Sequence, residues 1–386
     1  MKVLIEGGGI AGLASASFLA DHGIQATIVE KAREFKSIGY GVSLWPNGLR
    51  MLRLLGLEEA VLKEAYPLKK YEIADAQGHV IHRMDFHRLF ATFGKLVGIE
   101  RAKLHHLLAK RAHKTPIRFA TTILKIVQFE HGVRVYLSTG EVEEYDVVVG
   151  ADGIHSQVRE LVFRKTEPNY YGWTSWLFWM PEDIPHHQGI FQLLGTNAYV
   201  AFYPLSEKKC GVYMTAAVPP HQKDEFRTSE DKSLRKQKMK ALFADFGWRV
   251  DEIIDRVDQL DTMFHDDIAM VKSECWYDQR VALMGDAEHA LSPLCGMGSS
   301  IALEDAYVLA EELAQVDPQA VVVALERYRQ RRQQRIRKLR RLSDLFTKLV
   351  MVRSRVVLWF ITHIGSKILP RSFVPGRFER FLKAGI

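Results

Sequence analysis

Cysteine is scarce: Cys210, Cys275 and Cys295 are the only three in 386 residues. They are far apart, odd in number and form no C-x-x-C pair. A disulfide framework and a zinc ribbon are thereby excluded, and a reducing, cytoplasmic setting is expected. Long apolar runs are missing as well. Val3-Leu4-Ile5 breaks at once into glycines, so no signal-peptide core is expected. Neither H-E-x-x-H nor G-x-S-x-G occurs. The adjacent pairs His105-His106 and His186-His187 would point different ways on a helix or strand, so no metal is expected. Repeats, low-complexity tracts and Pro/Gly/Ser linkers are absent too. What remains is an ordinary globular composition, 47% hydrophobic and 26% charged, in a chain long enough for two lobes.

Charge is unevenly placed. Residues 327–386 hold 17 Lys and Arg against Asp344 and Glu379, so a chain of net charge +7 has a body of net −8. The basic balance belongs to the tail, and a nucleic-acid partner is not expected.

Residues 2–30 read as strand, turn, helix and strand. Val3-Leu4-Ile5 leads into Gly7-Gly8-Gly9-Ile10-Ala11-Gly12, Leu13 to His22 has helical spacing, Gly23 stops the helix, and Ala26-Thr27-Ile28-Val29 is a second buried strand. The G-x-G-x-x-G turn permits a tight bend, close approach of a pyrophosphate, and close packing of helix on strand. Phosphate oxygens would then meet the free N–H groups of the helix N-terminus. Glu30 closes the second strand, where a carboxylate can accept from ribose hydroxyls, with Lys31 beside it. These residues indicate a dinucleotide without separating FAD from NAD.

Two more strand-end loops follow, Gly150-Ala151-Asp152-Gly153-Ile154-His155-Ser156-Gln157-Val158-Arg159 and the stretch from Gly285-Asp286 to Gly298. Asp286 is placed to accept from a ribityl or ribose hydroxyl. Pro293, Gly296, Met297 and Gly298 keep bare backbone before a helix, whose N–H groups can face developing negative charge. Alone, each loop reads equally well as an Asp N-cap before a glycine-rich turn. Residues 98–112 look helical, 117–150 alternate as strands, and 170–218 read as a sheet of long strands.

Together the three motifs resemble the single-component FAD-dependent aromatic monooxygenases, the family of p-hydroxybenzoate hydroxylase and the tetracycline-degrading monooxygenases. Gly7, Gly9, Gly12 and Glu30 match its nucleotide turn. Asp152, Gly153, Ser156 and Arg159 match its D-G-x-x-S-x-x-R stretch, and Gly285, Asp286, His289, Pro293, Gly296 and Gly298 its G-D-A-x-H-x-x-x-P-x-x-G-x-G stretch. Arg101 falls where the family has an FAD-contacting arginine, and Gly39 to Gly48 is similar to its G-x-G-I-x-L-x-P-N-A segment. The resemblance implies an α/β fold: a Rossmann-like FAD-binding domain (1–70, 98–165, 271–325), an inserted β-rich substrate domain (71–97, 166–270) and a basic C-terminal helical segment (326–386). It implies FAD, with NAD(P)H and O2 as co-substrates, and hydroxylation of a small molecule through a flavin hydroperoxide, the 293–298 loop walling the oxygen site.

Departures from that pattern are informative. Glu288 stands where a small residue is usual and is expected to face solvent. Leu177 follows Trp176 where the family often has arginine, so the substrate need not be an acid. Tyr170 to Met180 carries six aromatics in eleven residues. As a strand it sends Tyr171, Trp173 and Trp179 to one face and Tyr170, Trp176 and Phe178 to the other, and Trp173, Trp176, Phe178 and Trp179 are candidates to line a cavity for an apolar, aromatic or polyketide-like substrate.

The tail reads first as helices packed on the body with arginines paired or solvated. Peripheral membrane contact is the second reading, because Lys348, Arg353 and Arg355 interrupt the apolar stretch before it can span a bilayer. Alternatives to the monooxygenase are a flavin-dependent halogenase, whose W-x-W-x-I-P string is absent, a flavin reductase, and a non-catalytic FAD-binding membrane-associated protein.

Overall fold

The computed structural model describes residues 1–35, 40–84, 86–164, 167–181, 189–222, 232–260, 263–271, 273–365, 368 and 370–384. The His186-His187 pair and Gly39 lie outside them. Lys2–Glu6 runs through a six-stranded sheet ordered Tyr277–Asp278, Val281–Leu283, Val147–Gly150, Lys2–Glu6, Gln25–Glu30, Ile117–Phe119. Every pairing is parallel except that of the Tyr277–Asp278 edge. Strands covered on both faces explain the unbroken runs Val3-Leu4-Ile5, Val147-Val148-Val149 and Val281-Ala282-Leu283, all fully buried. Helix Ile10–Asp21 returns the chain between the first two strands and packs on helix Gly298–Leu313.

A seven-stranded sheet forms the second lobe, ordered Phe264–Met270, Asn169–Pro181, Lys209–Ala217, Ala198–Ser206, Gly189–Leu194, Lys70–Asp75, Val80–Met84. Its outer face carries a separate core of Trp176, Phe178, Phe191, Val212 and Met214, covered by Met239 of helix Lys232–Leu242 and Phe243 just after it. Two small sheets complete the structure. One is the meander Ile123–Phe129, Gly132–Leu137, Val142–Tyr145. The other pairs Val97–Glu100 with Gly41–Leu44, which corrects the helical expectation at 98–100: the helix starts only at Arg101. Four residues with Val97 and Ile99 buried are too few for periodicity to separate strand from helix.

The basic tail begins as one long helix, Val321–Val350, packed on Gly298–Leu313. Its inner arginines are fully paired. Arg332 donates from Nε to Asp305 (2.6 Å) and from Nη1 to Glu304 (2.8 Å). Arg335 donates to both Glu304 oxygens (2.7 Å each) and to the carbonyls of Phe381 (3.0 Å) and Ala384 (2.7 Å), which fixes the end of helix Phe373–Lys383. His289 closes the network at 2.6 Å from Asp305. Burial alone would raise both carboxyls. The His289 and Arg332 charges hold Asp305 below its ordinary range, and Arg332 with Arg335 does the same for Glu304. Removing one partner from such a buried set costs about 3–5 kcal/mol.

Candidate active site

The glycine turn is built from close approaches. Gly7 sits at φ +105°, and a Cβ there would lie 2.5 Å from the Ala151 carbonyl oxygen; one on Gly12 would lie 1.9 Å from the Gly7 oxygen. Gly9 differs, because its Cβ direction meets nothing within 4 Å. Two glycines therefore shape the turn and the third keeps a space open at the N-terminus of helix Ile10–Asp21. Glu30 accepts from the Gly8 amide (2.7 Å) and the Ala32 amide (2.8 Å), which sets its carboxylate against the turn. Lys31 is exposed beside it. His105 was missed by sequence reasoning. Its Nε2 lies 2.7 Å from the Gly8 carbonyl oxygen, its ring meets Phe35 edge-on, and burial lowers its pKa, so a neutral imidazole braces the turn. Its position four residues after Arg101, on one helix face, was the available signal.

The other two motif loops arrive at the same place because all three leave the same ends of parallel strands. Asp152 Oδ2 accepts from Gln157 (2.6 Å) and Val158 (3.1 Å), while its Oδ1 is buried without a partner. Arg159 ties the loops together, donating to the carbonyls of Ala287 (2.6 Å) and Ile154 (2.7 Å). Asp305 holds the third loop by accepting from the Gly285 amide (3.0 Å). Gly296 is left-handed (φ +61°) and ends the turn Pro293–Cys295. Met297 is fully buried, so only its backbone is available to a ligand.

One cavity of about 390 Å³ joins these loops to the second lobe. Gly9, Ala11, Arg101, Gly153, Asp286, Pro293, Gly296 and Gly298 are on its wall. Gly153, like Gly9, opens its Cβ direction on empty space. Asp286 is exposed at the cavity wall, and the protein packed around it raises its carboxyl against the pull of His289 and Arg101. A bare-backbone cradle on two helix N-termini, a ribose-reaching carboxylate and a deep apolar slot fit FAD.

The far wall corrects the aromatic assignment: Trp173, Trp176, Phe178 and Trp179 are all absent from it. Trp176 and Phe178 point into the outer core. Trp173 and Trp179 share the inward parity but sit toward the ends of the strand, Trp173 after a register shift between Tyr170 and Thr174, Trp179 against Lys209. Leu177, between them, is the residue of this strand that reaches the cavity. The rest of the wall includes Tyr71, Phe86, Ile190, Tyr199, Tyr203 and Tyr213, with Phe346 and Phe378 from the tail. Burial holds these tyrosines protonated. Three wall groups lack hydrogen-bond partners: Ser292 Oγ on the flavin-side loop, Trp45 Nε1, whose ring stacks on Phe378 at 4.3 Å, and Gln192 Oε1, whose Nε2 donates to Tyr71. Trp45 lies in the segment flagged by resemblance, whereas no motif marks Gln192.

Two carboxyls are unusual. Glu6 is buried at the end of the first strand, accepting from Ile123 N–H at 2.9 Å; burial and the neighbouring Asp152 push it up to about 8. Glu288 does not face solvent as expected. The short helix Asp286–His289 turns it inward, both its oxygens are buried without partners, and burial raises it well above the carboxylate range.

Residues 1–343 match the FAD binding domain family. Along 359 residues the chain is 30% identical to 2-heptyl-3-hydroxy-4(1H)-quinolone synthase of Pseudomonas aeruginosa, covering 93% of this chain and 92% of that one. It is 26% identical to FAD-dependent urate hydroxylase of Klebsiella oxytoca, with 88% of each covered. The fold superposes on Klebsiella pneumoniae HpxO, crystallised with FAD and uric acid, with TM-score 0.88, 23% identity and coverage of 99% and 97%. The chain thus belongs to the FAD binding domain family.

Proposed function

We infer that the protein is an FAD-dependent monooxygenase, an oxidoreductase that uses NAD(P)H and O2 to hydroxylate a small, uncharged aromatic or polyketide-like molecule. The observation that carries this is the single cavity that joins three nucleotide-binding loops to an aromatic wall. FAD, when bound, would supply the redox chemistry, with NAD(P)H as electron donor, one oxygen atom of O2 going to the substrate and the other leaving as water. The chain supplies placement. Gly7, Gly9, Ala11 and Gly12 hold the diphosphate at a helix N-terminus, Glu30 with Lys31 beside it the ribose, and Arg101, Asp152, Gly153, Gly285 and Asp286 the ribityl and flavin side. Backbone groups of Pro293, Gly296, Met297 and Gly298 face the reacting edge, where the N-terminus of helix Gly298–Leu313 favours negative charge.

Substrate class follows from the far wall. Arg101 and Asp286 are its only formally charged described residues, both on the cofactor side, and Leu177 adds no cation. A carboxylate would enter without a partner, at a large desolvation cost. Trp45 Nε1 and Gln192 Oε1 instead offer one donor and one acceptor to a neutral ring bearing both kinds of group, such as a quinolone. This reading assigns residues 1–70, 98–165 and 271–325 to the nucleotide domain and 71–97 and 166–270 to the substrate domain, in a cytoplasmic setting with peripheral membrane contact through the tail.

Anaerobic mixing of the FAD-loaded protein with NADPH or NADH is the test. A neutral phenol, quinolone or tetracyclic compound should accelerate flavin bleaching and gain one oxygen atom once air is admitted. Bleaching by another donor only would favour the reductase reading, and bound FAD that is never reduced would favour a scaffold.

A further inference from the structure

The structure divides the basic tail in two. Up to Val350 many of its arginines are used internally: besides Arg332 and Arg335, Arg329 pairs with Glu326, Arg331 with Glu311 and Glu312, and Arg337 with Glu274, while Arg327 and Arg341 are exposed. Beyond it, helix Arg355–Phe360 runs on through the turn Ile361–Gly365. Its apolar residues face outward: Val356, Val357, Trp359, Phe360 and Ile364 are 65, 49, 50, 52 and 38% exposed, and Ile368 beyond them 73%. Val356, Phe360 and Ile364 recur every four residues, with Val357 and Trp359 on their flanks. Leu358 and Thr362 form the opposite face, Leu358 packing on the main core. A surface helix ordinarily buries its apolar stripe, and this one shows it to solvent.

Within this stretch of chain the charge is of one sign, and the acid that meets it from elsewhere is Asp245, 3.3 Å from Arg355. Residues 345–378 contain Lys348, Arg353, Arg355, Lys367, Arg371 and Arg377 and no Asp or Glu. Arg353 and Arg355 directly precede the apolar face in the chain and Arg371 follows it, all three exposed, with Arg353 also donating to the carbonyls of Tyr171 (3.4 Å) and Gly172 (3.2 Å). Trp359 stacks on His363 and meets Phe360 edge-on, a rigid aromatic tip. No described helix is long and apolar enough to cross a membrane. An apolar face carrying tryptophan, rimmed by cations and too short to span, is complementary to the headgroup region of an anionic bilayer.

We propose that Val356, Val357, Trp359, Phe360, Ile364 and Ile368, rimmed by Arg353, Arg355 and Arg371, form a monotopic anchor for anionic lipid. This rests on the peripheral-contact reading above and is independent of the oxygenase reading. Because Phe346 and Phe378 of the same tail line the cavity, the anchor would hold the substrate site close to a surface that concentrates apolar compounds.

Flotation of the full-length FAD-loaded protein with phosphatidylcholine vesicles, with and without phosphatidylglycerol, tests it. Binding is expected only with the anionic lipid, weakening in high salt, and falling about tenfold or more in both W359S/F360S and R355E/R371E. FAD content and melting temperature report folding in each variant, and NAD(P)H oxidation reports the oxygenase reading separately. Wild-type protein that does not float with anionic vesicles, or W359S/F360S that floats as well as wild type, overturns the proposal. Dimerisation lost in W359S/F360S, without vesicle binding by either form, would assign the face to a second copy and overturn it too.

Discussion

Replacing Glu6 by glutamine should stabilise the protein, by an amount that depends on pH. In the folded chain its carboxyl is raised to about 8 by burial and by Asp152, against 4.5 for an ordinary glutamate. Folding therefore takes up a proton between those values, and the unfolded state binds fewer. Stability is fully present below about pH 4.5 and is lost as pH rises toward 8. At pH 7 the unfolded group has titrated through 2.5 pKa units, at 1.36 kcal/mol each, for a loss of about 3 kcal/mol. Glutamine keeps an acceptor for Ile123 N–H and has no proton to lose. At about 2 °C per kcal/mol for a chain this long, Glu6→Gln should raise the melting temperature by about 6 °C at pH 7 and by almost nothing at pH 4.5. Ionised Glu6 would also add negative charge behind the phosphate turn, so wild-type FAD affinity should weaken as pH passes 8 while the variant stays flat. Melting curves and FAD titrations from pH 4.5 to 9 check both. The reasoning is refuted if the two proteins differ equally at every pH, or if the variant is the less stable one at pH 8.

Gly9→Ala should fold normally yet hold FAD at least about tenfold more weakly, because its Cβ enters open space that the phosphates need; Gly12→Ala should fail to fold the turn, and solubility with flavin content distinguishes them. Glu288→Gln should be neutral or stabilising at pH 7, with a gain that grows with pH, since both carboxyl oxygens are buried without partners; the same melting series measures it. Asp305→Asn should cost about 3–5 kcal/mol by stranding Arg332 and His289, measured by urea unfolding. Gln192→Leu and Trp45→Phe should raise KM for a neutral substrate about tenfold, a loss of roughly 1.4 kcal/mol, while FAD affinity is unchanged.

The cofactor half of this molecule was legible because its chemistry is local. Strand, glycine turn and helix lie within thirty residues, and each later loop announces itself by an apolar run ending in Gly-Asp or Asp-Gly. The substrate half was not. Trp173, Trp176, Phe178 and Trp179 obeyed the predicted alternation, but alternation fixes a face and not a place along it, and Leu177, midway along the inward face, is the residue that reaches the cavity. Gln192, Tyr71 and Trp45 meet across elements far apart in sequence, which no spacing reports. Glu288 was misread because a lone glutamate in a loop is ordinarily solvated, and here a four-residue helix turns it inward. Of the tail, the packing of a long helix with paired arginines was legible, and the exposed apolar face after Val350 was not, because periodicity alone does not tell which stripe of a short helix is covered.

The most direct test is turnover under 18O2 with the FAD-loaded protein, NAD(P)H and a neutral aromatic substrate that accelerates flavin reduction. The account predicts a product heavier by one 18O atom, with label from O2 and none from water. Label from water, or NAD(P)H consumption that yields hydrogen peroxide alone with every neutral aromatic tested, would contradict it.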